Sequence, residues 1–133
     1  MQFDDDIDSQ IIIQKNLRRA LDESSMVTIT DENGIIKYVN KKFCDTTEYT
    51  SDELIGNTHE LIRSGYHPIQ FYDNLWNKIN SGQVWHGEVK NKSKTGKIFW
   101  CDVFIVPFFN KHGKIHEHIA IRRNITKQKK FYE

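Results

Sequence analysis

The sequence predicts an α+β fold: a five-stranded antiparallel sheet with short helices on one face and an N-terminal amphipathic helix covering the other. Three observations predict it. Two strand-like runs, 26–30 and 35–39, flank the turn Asp31-Glu32-Asn33-Gly34. Three more, near 84–91, 98–106 and 119–125, are joined by turns containing Gly96 and Gly113, where a hairpin needs positive φ. The middle one of these three is apolar on both sides: Trp100, Phe104 and Val106 point one way, and Phe99, Cys101, Val103 and Ile105 the other. Both faces of such a sheet need cover.

The elements follow in order. Residues 1–8 read as a frayed lead-in, and Ser9 as the N-cap of a helix through about Glu23. Ile12, Ile13, Leu17, Ala20 and Leu21 fall mostly on one face of that helix. After the first hairpin, Asn40 is placed to cap a short helix over 41–47. A second short helix starts at Ser51, where Asp52 and Glu53 suit the positive end, and stops at Gly56. Residues 57–67 lack a periodic pattern. Pro68 then opens a helix to about Asn80, with Phe71, Leu75, Trp76 and Ile79 as its buried stripe. Ser81-Gly82 closes it.

At 133 residues the chain is long enough for one domain with a single core. A formal charge of +1 gives no electrostatic reason for nucleic-acid or membrane binding. Cys44 and Cys101 have no metal-type spacing and read as reduced thiols of a cytoplasmic protein. No run approaches the ~20 apolar residues of a membrane span.

Across residues 24–126 the chain resembles a PAS domain. The resemblance rests on 29–40 (Ile29-Thr30-Asp31-Glu32-Asn33-Gly34 through Asn40), on Tyr49-Thr50-Ser51-Asp52-Glu53-Leu54-Ile55-Gly56, and on Lys94-Thr95-Gly96-Lys97-Ile98-Phe99-Trp100. Asn124-Ile125-Thr126 is similar to the Asp-Ile-Thr that ends many such domains and begins a signalling helix. The resemblance implies a cap helix within 1–23, a sensory domain over 24–126, and the start of a connector helix at 127–133. Leu75-Trp76 and Trp85-His86-Gly87 through Asn91-Lys92 look like the pattern of FAD-binding redox sensors of the aerotaxis-transducer and nitrogen-fixation-regulator kind, with Lys92 where arginine is commoner. Light-sensing flavin relatives carry an adduct-forming cysteine in Gly-x-Asn-Cys. The matching residues here are Gly56-Asn57-Thr58-His59, so thiol-adduct photochemistry in that form is excluded.

The implied cofactor is FAD, bound non-covalently. Alternation puts Trp85, Gly87, Val89 and Asn91 on one strand face, and His118, Ala120 and Arg122 on one face of the last strand. In the flavin-binding relatives the residue matching Asn91 faces the isoalloxazine edge, and an amide both donates and accepts there. Trp85 would stack on the ring; its alternative is core filling, and that of Asn91 is a strand-end cap. Arg122 matches a flavin-contacting glutamine of light-sensing relatives and reads as a redox relay, or as one half of an internal ion pair with Glu88 or Glu60. Arg63 and His67 would hold a ribose-phosphate tail, against the alternative of a solvated loop. His59, Cys101 and Val103 complete the implied cofactor-facing set.

Other chemistry lacks its residues. His116 and His118 have no third metal ligand, haem would have only His59 or His67 to bind it, and no phosphate loop or nucleophile elbow occurs. The reading is therefore a non-enzymatic sensory module that reports redox or oxygen state to an output domain in cis, a diguanylate cyclase or histidine kinase by analogy. Its expected partner is a second copy, through the N-terminal helix and the outer sheet face. Two alternatives stay open: a cofactor-free dimerisation module, and a sensor for a small carboxylate or amine.

Overall fold

The structure is a computed structural model that describes residues 2–132, and side chains for residues 6–130. Helix α1 (Gln2–Ser24) leads into the hairpin β1 (Met26–Asp31) and β2 (Ile36–Val39). Short helices α2 (Lys41–Thr47) and α3 (Ser51–Leu54), a 3-10 turn (His59–Ile62) and helix α4 (Ile69–Asn80) follow. Strands β3 (Trp85–Lys92), β4 (Ile98–Phe109) and β5 (Ile115–Asn124) complete the sheet, and α5 (Thr126–Tyr132) leaves it. The sheet is five-stranded and antiparallel in the order β2-β1-β5-β4-β3. The last strand thus lies between the two hairpin groups, and β2 and β3 are the edge strands.

Side chains explain the element boundaries. Asn40 is buried and makes three kinds of contact at once. Its Oδ1 accepts from the Val27 and Phe43 N–H groups at 3.0 and 3.1 Å, capping α2, while its Nδ2 donates to the Ser25 carbonyl at 2.8 Å. Helix α3 starts at Ser51 as expected, and its cap is Thr50. Its Oγ1 accepts from the Glu53 N–H, and Glu53 returns a bond from the Thr50 N–H, forming a reciprocal capping box. Asn124 and Thr126 join the sheet to α5: Asn124 Oδ1 accepts from both the N–H and the hydroxyl of Thr126, whose Oγ1 accepts from the Trp100 N–H. The patternless stretch contains the 3-10 turn, capped by Thr58.

The core lies between the short helices and the inward sheet face. Phe43, Leu54, Ile36 and Cys101 are fully buried there, with Phe99 and Val103 packed against them.

Helix α1 corrects the expected picture twice. It begins at Gln2, so Ser9 lies inside it rather than at its start. Asp6 in its first turns suits the positive end of the helix dipole, and no glycine or proline stops extension backward. Nor does it cover the outer sheet face: Ile12, Ile13 and Leu17 are more than half exposed at 58, 55 and 60%. Among the described residues it is fastened near its C-terminal end, where Tyr38 Oη donates to Asp22 and Arg18 lies over the Tyr38 ring at 4.6 Å. On the sheet, Phe104 and Phe108 remain exposed as well. An amphipathic pattern specifies that a face seeks cover, not which surface supplies it. Among the described residues, no helix is long and apolar enough to cross a membrane.

Candidate functional site

Helix α4 packs on the sheet through aromatic contacts at either end, with a space between them. At one end Phe71 meets Trp85 edge-on at 5.6 Å and stacks on His67 at 4.0 Å. At the other, Trp76 meets His118 edge-on at 5.8 Å and presses on the β1–β2 turn. That approach requires glycine: Gly34 has φ +87°, and a Cβ there would lie 2.8 Å from the Trp76 ring. Between the two contacts the opposing strands offer the short side chains of Val89, Val103 and Ala120. The result is a cavity of about 350 Å³, whose lining includes Asn33, Thr58 and Glu60. That is ligand size.

The cavity wall is apolar apart from a few groups with unusual partners. Arg122 is 5% exposed, and its Nη1 donates to Thr28 Oγ1 at 3.0 Å. Its guanidinium lies 4.8 Å from the Phe43 ring centre. No carboxylate pairs with it among the described residues. Glu88 pairs with Lys129 at 3.0 Å on the outer face, and Glu60 lies beside Arg63 at 4.0 Å, so neither expected ion pair forms. Burial lowers the Arg122 pKa to about 10, which leaves it a cation at neutral pH with most of its N–H groups uncommitted.

His59 reads the same threonine from the other side. Its Nε2 lies 3.0 Å from Thr28 Oγ1. That oxygen accepts from Arg122 and keeps a second lone pair and its own proton, so it can serve either neutral tautomer of the imidazole. Burial first, and the Arg122 charge second, hold His59 well below the usual histidine range. The neutral ring, the hydroxyl and the guanidinium form one chain that runs from a half-buried His59 to the buried Arg122.

Asn91, 3% exposed, faces the cavity from the β3 edge, and its main chain pairs with that of Arg63. The strand-end cap belongs instead to Ser93, whose Oγ accepts from the Lys97 N–H at 3.1 Å. Trp85 lies back along its own strand over Gly87, where a Cβ would come within 2.7 Å of the indole. Arg63 stacks over the Tyr72 ring at 3.8 Å.

Six of the eight sequence-derived positions, Trp85, Asn91, Arg122, Arg63, His59 and Val103, line this cavity. Two do not. Cys101 sits behind the wall in the core, where burial pushes its thiol up to about 11. His67 faces the β3 edge, where its Nε2 accepts the Lys90 N–H at 2.9 Å. Loss of solvent, then the nearby Lys90 charge, lowers its pKa and keeps it an acceptor. Ser64 Oγ donates to the Lys90 carbonyl beside it at 2.6 Å, so the loop straps a strand edge that would otherwise lie open.

Sequence reasoning passed over Tyr72, Trp76 and His118 as cavity groups. Neither ring nitrogen of His118 and not the Tyr72 hydroxyl makes a hydrogen bond. The signal was present for His118, which shares the inward alternation of Ala120 and Arg122; Tyr72 and Trp76 needed the placement of α4. Among the described residues no three His, Cys, Asp or Glu side chains gather as a metal site.

The PAS domain family matches residues 23–127. The chain is 28% identical over 103 residues to the nitrogen fixation regulatory protein of Klebsiella pneumoniae, covering 77% of this chain and 21% of that protein. It is 30% identical over 115 residues to the aerotaxis receptor of Escherichia coli, covering 86% of this chain and 22% of the receptor. It therefore spans about a fifth of these relatives' length. Among solved structures, the PAS domain of a Colwellia psychrerythraea protein superposes with a TM-score of 0.70 at 25% identity, over 86% of this chain and 98% of that one. A light-oxygen-voltage domain studied with a flavin analogue gives 0.76 at 19% identity, over 88% and 91%. With the family match running through nearly all of the sheet and its helices, the chain belongs to the PAS domain family.

Proposed function

We propose that this sensory signal-transduction module binds FAD non-covalently in the α4–sheet cavity and reports redox or oxygen state to an output domain in cis. The observation that carries this reading is Arg122, a buried guanidinium on the cavity wall with no carboxylate partner. An unpaired buried cation is costly, so an occupant with acceptor atoms, or one that gains negative charge, offsets that cost. Bound FAD supplies a reversible electron couple whose reduction changes charge and hydrogen bonding at the ring edge.

The residues fit such a group. Arg122 donates, Asn91 both donates and accepts, and Trp85 offers an aromatic wall. His59 holds Thr28 and so sets where the guanidinium points. Arg63, at the cavity wall, would pair with a phosphate of the tail. Movement of Arg122 would pass along β5 to Asn124 and Thr126, the hinge of α5. The sensory unit is 24–126, with α1 as cap helix and α5 as the start of the connector. We place it in the cytoplasm, upstream of a diguanylate cyclase or histidine kinase.

The exposed apolar stripe of α1 and the exposed Phe104 and Phe108 favour a homodimer joined through α1 and the outer sheet face. The cofactor-free dimerisation module remains the competing reading.

The purified protein's absorption spectrum tests the choice, followed by denaturation and mass spectrometry of what is released. The two-band spectrum of oxidised flavin, with FAD in the supernatant, is the expected result. A colourless protein that takes up no added FAD overturns it.

A further inference from the structure

We propose that His118 is a ligand contact of the cavity, forming a polar subsite at the Trp76 end that takes a hydroxyl or amide group of the occupant. The inference rests on the reading of the cavity as a cofactor site. His118 is 3% exposed and lines the cavity, yet neither of its ring nitrogens has a hydrogen-bond partner. Its neighbours leave it so. Trp76 presents a ring edge at 5.8 Å, and Thr30, across the ladder on β1, turns its hydroxyl to the Asp31 carbonyl at 3.0 Å. Burial lowers the His118 pKa; the Asp31 main-chain carbonyl, near the ring but taken by Thr30 and without a well-formed hydrogen bond to His118, opposes that first, and the Asp31 and Glu32 carboxylates follow.

A neutral imidazole carries one donor and one acceptor, which suits a group that also does both. A phenylalanine would fill the same place against Trp76 without burying two polar atoms unpaired, so packing alone does not call for histidine. Along β5, His118 and Arg122 are four residues apart, roughly 13 Å in an extended strand. The cavity thus has a cationic end and a neutral polar end separated by apolar wall. It selects an elongated occupant with acceptors at one end and a hydroxyl or amide at the other.

The test compares the wild-type protein with His118→Phe and His118→Gln, stripped of bound material, by thermal melting and by FAD titration. His118→Phe is expected to melt about 3–6 °C higher when empty, because an unpaired polar group is gone. It is expected to bind FAD roughly tenfold more weakly, one ordinary hydrogen bond lost. His118→Gln restores binding to within about threefold. Unchanged FAD affinity in His118→Phe overturns the proposal, since only water then occupies the subsite. A lower melting temperature of empty His118→Phe overturns it too, as the ring then has a packing role. Should the wild type bind no FAD, the FAD reading falls, and the melting comparison decides His118: a rise supports a group held for another ligand, no rise rejects it.

Discussion

The two faces of β3–β5 carry similar side chains and treat them in opposite ways. On the outer face charged groups find partners. Lys129 meets Glu88 at 3.0 Å and also lies 4.3 Å from the Trp100 ring centre, and His86 meets Asp102 at 2.8 Å while stacking on Phe104. On the inner face Arg122 has a single hydroxyl for a partner and His118 has none. The outer face is mostly wet, where an unmet charge costs little because water serves it. The inner face is dry, where the same omission is expensive. Polar groups left short of partners where partners matter most are the signature of a site, and paired ones on the surface are ordinary solvation.

Several measurements would break or sharpen that contrast. The largest effect is expected for Arg122→Leu, with FAD affinity falling about 30- to 100-fold, as for loss of a charged hydrogen bond. Folding stability should hold or rise, since an apolar side chain replaces an unpaired buried cation. Titration calorimetry and urea unfolding check the two halves, and a large loss of stability would mean that Arg122 is structural. Gly87→Ala should cost about 1–3 kcal/mol by forcing the Trp85 indole off its strand. Tryptophan emission should shift with it, and an unshifted spectrum would argue against the present position of Trp85.

Acid should act on the inner face and its strap first. His59, His67 and His118 all have lowered pKa values in the folded domain, so below the ordinary value near 6.5 the unfolded chain binds protons that the folded one refuses. Stability is therefore undiminished above that pH and declines as pH falls toward the depressed folded values. Replacing His67 with Gln should flatten part of that decline in a urea-unfolding series from pH 7 to about 5. The smallest effect belongs to the outer face: Glu88→Gln should change stability by less than about 0.5 kcal/mol, and less still at high salt. A change as large as that at Arg122 would erase the distinction between the faces.

Strand alternation, turn glycines and caps made much of this protein legible before any coordinates. Period-two patterning grouped Trp85 with Asn91, Cys101 with Val103 and His118 with Arg122, the resemblance to PAS domains said which face is inward, and the hairpin turns set the strand pairs. For His118, alternation reports a direction and not the absence of a partner. Alternation put Cys101 on the same face as Val103, yet one lies under the helices and the other at the cavity. Tertiary structure alone decided that, because α4 crosses the sheet at two aromatic contacts and leaves open the space between. It also decided the fate of His67, recruited to a strand edge, and of α1, whose stripe stays exposed among the described residues. Local periodicity is written in neighbouring residues, whereas a cavity is the volume that distant elements fail to fill.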